Sequence, residues 1–174
     1  MLLELPVLWL IAANVFGWLA LHLTVAWIGT RLSADRFNPR HALFRPRRWE
    51  QRGRLYQRLF HVKAWKDRLP DGAAWFTDGF PKAALRSDDP AYVQRFMRET
   101  CRGEAVHWIV IAIAPLFFVW NPAGAGLVML AYGLLANLPC IVIQRYNRNR
   151  LARLDARRAS GTDRRTSQAQ TSMP

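Results

Sequence analysis

The chain has 174 residues, 51% of them hydrophobic, yet it carries a formal net charge of +13 and only two cysteines, Cys101 and Cys140. That length suits one domain, and so few cysteines argue against a disulfide framework. All 25 Lys and Arg fall in two blocks, 17 within 31–104 and eight within 145–174, a segregation that excludes a soluble protein with scattered charge and makes nucleic acid a poor partner.

Residues 5–29 hold no charged side chain. At about 1.5 Å per residue they reach roughly 37 Å, enough to cross a bilayer. The stretch is preceded by Glu4 and no basic residue, so it reads as a retained span and not a cleaved signal peptide. Ala13, Gly17, Ala20 and Thr24 form a stripe of small residues suited to close helix packing. Asn14 and His22 are the polar residues inside the span, and His22 reads as a packing residue before it reads as a catalyst. Gly29-Thr30-Arg31 ends the span, and the Pro- and Arg-rich stretch 31–48 reads as a surface connector. Residues 47–65 predict one basic amphipathic helix in the headgroup layer, with Trp49, Tyr56, Leu59, Phe60 and Val62 to one side. In Trp65-Lys66-Asp67-Arg68, a single acid stands among Lys63, Lys66 and Arg68, a cluster able to hold an anion. Pro70-Asp71-Gly72 is turn chemistry, and 73–87 read as a loop.

Ser87-Asp88-Asp89-Pro90 is a helix start. One helix is expected from Pro90 to Trp120, its last part, 105–120, forming a second span that Pro115 kinks. Asn121-Pro122-Ala123-Gly124 makes a tight turn, and a third span covers 126–143. Gly126, Gly133 and Asn137 share a face of that span, and Pro139 frees backbone carbonyl groups at that depth. The run Gln144–Arg150 follows, and the polar residues 159–174 read as a disordered basic tail. The expected architecture is all-α: one membrane-embedded domain over 1–158, with three transmembrane helices and a basic amphipathic-helix cap formed from 31–104. Both basic blocks then face the cytoplasm and the N-terminus lies outside the cell membrane.

Ionisable groups at a membrane boundary are costly and are functional candidates for that reason. Glu104 lies just ahead of the second apolar run and His107 just inside it. A spacing of three places them on one helical face. The imidazole is able to take a proton from a hydroxyl, with the carboxylate orienting its other nitrogen. The competing reading pairs Glu104 with Arg102, Arg145 or Arg148 to tie helix ends together. Metal binding by Glu99, Glu104, His107 and His61 has no diagnostic spacing. No phosphate loop, paired-cysteine motif or nucleophile elbow is present. Arg145 and Arg148, with Tyr146 and Asn147 between them and Asn137 earlier on the same helix, read either as a membrane stop signal or as a site for the phosphates of an acyl donor.

Taken together, Gly29-Thr30-Arg31, the segment Lys63–Leu69 around Trp65-Lys66, Glu99-Thr100 with Arg102, Glu104 and His107-Trp108, and Asn137-Leu138-Pro139 followed by Gln144–Arg148 and Arg150-Leu151 resemble the glycosyl-diaponeurosporenoate acyltransferase family. The resemblance extends from about residue 22 to 152. It implies the last step of staphyloxanthin-type carotenoid synthesis, in which a long-chain acyl group esterifies a sugar hydroxyl of a carotenoid glycoside. It implies Glu104 and His107 as the catalytic pair. Trp65, Lys66, Asp67, Asn137, Arg145, Tyr146, Asn147 and Arg148 are the substrate-binding candidates. Acyl-CoA or a similar donor is expected as co-substrate, with no cofactor and no metal. The acceptor is a lipid-like glycoside, and other enzymes of the pathway are candidate partners. Two rivals stay open: a non-catalytic membrane protein binding anionic lipid or a partner enzyme, and a metal-dependent lipid hydrolase using Glu99, Glu104 and a histidine.

Overall fold

The computed structural model describes residues 6–69 and 89–171, the side chains of 159 and 161–171 excepted. Every regular element among them is helical, and three of the helices are long and apolar enough to cross a membrane, as the charge segregation predicts. The turn at 70–72, the loop at 73–87 and the Ser87-Asp88 part of the helix start lie outside the described residues, as do 172–174; the rest of the expected disordered tail, 159–171, has a helical backbone instead, continuing the last helix.

The first span, α1 (Val7–Arg31), is one unbroken helix with Arg31 in its last turn. Leu8, Trp9, Phe16 and Trp27 face outward, where acyl chains satisfy them and the backbone bonds internally. Its inner side packs Trp18 and Val25 against Val110, Ala114 and Phe117. Trp18 stacks on Phe117 with ring centroids 4.4 Å apart. A side chain at Gly133 would place its Cβ 2.8 Å from the Trp18 ring, so this small residue sits where the spans approach closely.

The second span, α4 (Pro90–Ile113), begins as capping chemistry dictates. The Asp89 carboxylate accepts the Tyr92 amide at 3.0 Å, and Pro90 occupies the first turn. The expected continuous helix to Trp120 tightens instead into a 3-10 segment, Ala114–Val119. Pro115 lacks the N–H that would bond the Ile111 carbonyl, so the chain changes pitch there. At the following turn Asn121 and Asn14 exchange amide hydrogen bonds of 2.9 and 2.7 Å, and Trp120 Nε1 donates to Asn14 at 2.9 Å. This ties α1 to the turn between the other two spans.

The third span opens α5 (Ala123–Thr171), a helix of 49 residues that runs through Pro139 without interruption. It lies antiparallel to α4. Met97 packs near Leu151, Gln94 donates to Asp155 at 2.8 Å, and the pairs between them make up the candidate site.

The expected single helix over 47–65 is broken. It is a 3-10 segment, Arg48–Gly53, then α2 (Arg54–Phe60), α3 (Val62–Trp65) and a 3-10 turn, Lys66–Arg68. Gln51, Arg52 and Gly53 have φ of 50°, 56° and 86°, and His61 has φ 48°. The reason is geometric. Glu50 and Tyr56 both turn inward and bond each other at 2.5 Å. On a straight helix, at about 100° per residue, six positions would set them roughly 120° apart, and the left-handed turn re-aims them. The expected aromatic face divides accordingly. Tyr56 and Val62 pack with Tyr146 inside the protein, while Trp49, Leu59 and Phe60 face outward.

Candidate active site

Where α4 leaves the apolar part of the bundle, α5 meets it with the first residues of its arginine run, and the cap closes over both. Glu104 is fully buried. Its Oε1 accepts from Arg145 Nε at 2.8 Å and from Trp108 Nε1 at 3.2 Å. Its Oε2 accepts from Arg148 Nη2. Arg145 reaches onward, donating from Nη1 to Glu50 Oε1 at 3.0 Å and from Nη2 to the Leu43 carbonyl at 2.7 Å. Arg148 is 1% exposed and also donates to Thr100 Oγ1 at 3.4 Å. Two carboxylates and two guanidiniums thus form a balanced ionic lattice that joins α4, α5 and the cap.

Glu50 is the lattice member that sequence reasoning missed. It is fully buried and accepts from Tyr56, Arg145, Asn149 and the Arg47 amide. Burial pushes its carboxyl upward, but these four donors together hold it below its ordinary value. Burial, and then the bond to Glu50, pushes the Tyr56 phenol above its ordinary range. One signal was available: Glu50 is the only acid between Asp35 and Asp67, in a stretch dense with arginine.

One turn along α4, His107 faces the same neighbour helix but meets a different partner. Its Nδ1 lies 2.8 Å from Asn137 Oδ1. Asn137 is fully buried, and its Nδ2 donates to the Gly133 carbonyl at 2.8 Å. That bond turns the amide oxygen toward the imidazole, so His107 Nδ1 is the donor of the pair. His107 Nδ1 thus meets the Asn137 amide, where the sequence led one to expect the Glu104 carboxylate. Glu104 serves Arg145, Arg148 and Trp108, as the competing reading of that residue anticipates.

The remaining predicted residues separate. Tyr146 is buried against Tyr56 and Val62, with Arg150 above its ring at 5.9 Å. Trp65 packs against the same cluster and donates to the Phe60 carbonyl at 2.6 Å. Lys66 pairs with its neighbour Asp67, whose side chain is 65% exposed, so the structure does not bring these two to the lattice. Asn147 is half-buried and joins none of the lattice bonds. Arg145 and Arg148, the candidates for holding a donor's phosphates, both bond buried carboxylates. Among the described residues no three His, Cys, Asp or Glu side chains converge as metal ligands would. Glu99 pairs with Arg102 at 2.7 Å, and Arg102 also caps the end of α1 through the Leu32 carbonyl at 3.1 Å.

Comparison with known proteins gives one consistent result. Residues 40–157 match the family model described as glycosyl-4,4'-diaponeurosporenoate acyltransferase. Proteins of that name from Staphylococcus aureus strains bovine RF122 / ET3-1 and MRSA252 are each 31% identical over 137 residues, which covers 79% of this chain and 82% of theirs. The protein of the same name from strain USA300 is 30% identical over the same length. No solved structure matches the chain.

Proposed function

Because the chain belongs to the glycosyl-4,4'-diaponeurosporenoate acyltransferase family, and so is a membrane acyltransferase, we propose that it esterifies a sugar hydroxyl of a carotenoid glycoside or similar glycolipid with a long-chain fatty acyl group. The observation that carries the mechanism is the 2.8 Å bond between His107 and Asn137. It lies where the apolar span meets the ionic lattice, the level at which a lipid's polar end and its apolar body part company.

In this reading His107 Nε2 takes the proton of the acceptor hydroxyl as its oxygen attacks the acyl carbonyl carbon. The new C–O bond forms, the bond to the donor's leaving group breaks, and the imidazolium returns the proton to that group. Asn137 is a positioning residue that fixes the tautomer. Glu104 acts one turn away by holding α4 on α5 through Arg145 and Arg148, not by touching the ring. The acceptor and acyl chain approach from the bilayer between the spans. The basic end, with the cap, faces the cytoplasm of the cell membrane, and the N-terminus lies outside.

The test is expression of the chain with an isotopically labelled acyl donor and a lipid extract, with the ester identified by mass spectrometry. Wild type forms the ester. His107→Ala inserts normally and loses product by at least about a hundredfold, the general-base contribution. Normal acylation by that variant defeats the assignment, and no ester from wild type favours the non-catalytic rival.

A further inference from the structure

Beyond the lattice, at the basic end, α5 and the 3-10 segment of the cap border an open cavity of about 630 Å³, within the roughly 300–1,000 Å³ of small-molecule sites. Arg52, Arg54, Arg153 and Arg157 line it, with the polar groups of Asn149 and Ser160. Among the described residues no acid lines it, and none of the four arginines has an acidic partner there. The neighbouring cavity, about 750 Å³, differs. It is also rich in arginine, but Asp35 and Asp155 line it, and Arg98 pairs with Asp35 there. The first cavity also has a construction that concentrates charge. The left-handed residues Gln51 and Arg52 turn the chain back so that Arg52 and Arg54 share a rim. Arg153 and Arg157 are four apart on α5 and so occupy one helical face. Burial first, and then the like charges of Arg150, Arg157 and Arg54 working against Tyr146, hold the Arg153 guanidinium below its ordinary value. Four like charges around one cavity repel unless an anion lies between them, and planar guanidiniums match phosphate oxygens two at a time.

We propose that this cavity is a phosphoryl-binding site, separate from the ionic lattice, and that its ligand is the phosphate-bearing part of the acyl donor or the headgroup of an anionic lipid. The donor form rests on the acyltransferase reading above. Asn137 and Arg153 are sixteen positions apart on α5, about 24 Å along the axis, a separation of the order a phosphopantetheine arm spans. A donor anchored by its nucleotide phosphates at the arginines would thus present its acyl carbonyl at the level of His107. The site would take the role first assigned to Arg145 and Arg148, which bond the buried carboxylates of Glu50 and Glu104.

The experiment measures binding, which needs no turnover, on the full chain in nanodiscs. In phosphatidylcholine discs, coenzyme A and its 3'-dephospho form are titrated against wild type and against the variant R52Q/R54Q/R153Q/R157Q. In a second arm, native mass spectrometry counts phosphatidylglycerol retained by each. A loss of at least about tenfold in coenzyme A affinity, the scale of lost hydrogen bonds to charged groups, supports the site with the donor as its ligand. Loss of retained phosphatidylglycerol without coenzyme A binding supports it with a lipid headgroup as the ligand. Equal binding of both probes by wild type and variant overturns it. Arg150→Gln, at an exposed position outside the cavity, leaves binding unchanged, and a drop equal to the quadruple variant's overturns the assignment. Should the quadruple variant aggregate, R54Q/R157Q replaces it, and wild-type binding of either probe that does not weaken with added salt overturns the site. Ester formation by wild type is assayed separately, so failure of the acyltransferase reading and failure of this site remain distinguishable.

Discussion

Replacing Glu50 with glutamine sets an NH₂ group among donors that have only a carboxylate to meet: Tyr56 Oη, the Arg47 amide, Arg145 and Asn149. It also leaves Arg145 with one carboxylate partner in place of two. The expected cost is about 3–5 kcal/mol, the range for breaking a buried ion pair, read as a lower thermal midpoint in detergent. The pH dependence has a definite sign. The folded carboxyl lies below its ordinary value, so its contribution is complete above the unfolded value of about 4.3 and fades as the pH falls through the lower folded value. Wild type should therefore lose stability progressively below about pH 4.3, while Glu50→Gln shows a flatter acid limb; parallel curves for the two proteins would contradict the lattice. At this scale the sequence marked Glu104 and offered Arg145 and Arg148 among its partners, but it did not pair His107 with Asn137 or bring in Glu50. Glu104 and His107 were visible as ionisable groups at a membrane edge. Their partners, Arg145 and Asn137, stand 41 and 30 residues away, and nothing local encodes those contacts.

At the scale of elements, the spans were legible because each is a local property of apolar length and capping. The cap was not, because its broken path answers to α5. A straight amphipathic helix over 47–65 satisfies the residue pattern, yet it cannot turn both Glu50 and Tyr56 inward, and the resulting turn costs positive φ at Gln51, Arg52 and His61. Close packing of the spans gives a direct test. At Gly133 a Cβ would lie 2.8 Å from the Trp18 ring and 3.3 Å from Ala114 Cβ. Gly133→Leu should destabilise the bundle by about 1–3 kcal/mol through overpacking, and it should lower activity as well, because Asn137 is anchored to the Gly133 carbonyl. A variant with unchanged thermal midpoint would mean that α1 does not approach α5 there.

The whole molecule is a thin three-span bundle whose polar mass gathers at one end. The Asn14–Asn121 pair closes the other end, and between them Trp18, Phe117 and their neighbours form the apolar core. The charge distribution predicts the orientation of this arrangement. Single cysteines placed at Asn38 and at Ser160, in a chain freed of Cys101 and Cys140, should react with an impermeant maleimide only after the cytoplasmic face is opened, whereas one placed at Val7 should react from outside in intact cells. Labelling of Asn38 from outside would reverse the topology and move the arginine-lined cavity away from any cytoplasmic donor.

By itself the sequence determined the class of molecule: three apolar runs of spanning length, basic residues confined to their flanks, and an ionisable pair at one boundary. Hydropathy, charge and capping act over neighbouring residues, so they are written locally. Only the tertiary structure decided which charges neutralise each other, which side chain bonds His107, and which arginines gather around one cavity. Those outcomes depend on the antiparallel register of α4 on α5 and on the turn of the cap above them, and register is settled by packing between segments far apart in the chain.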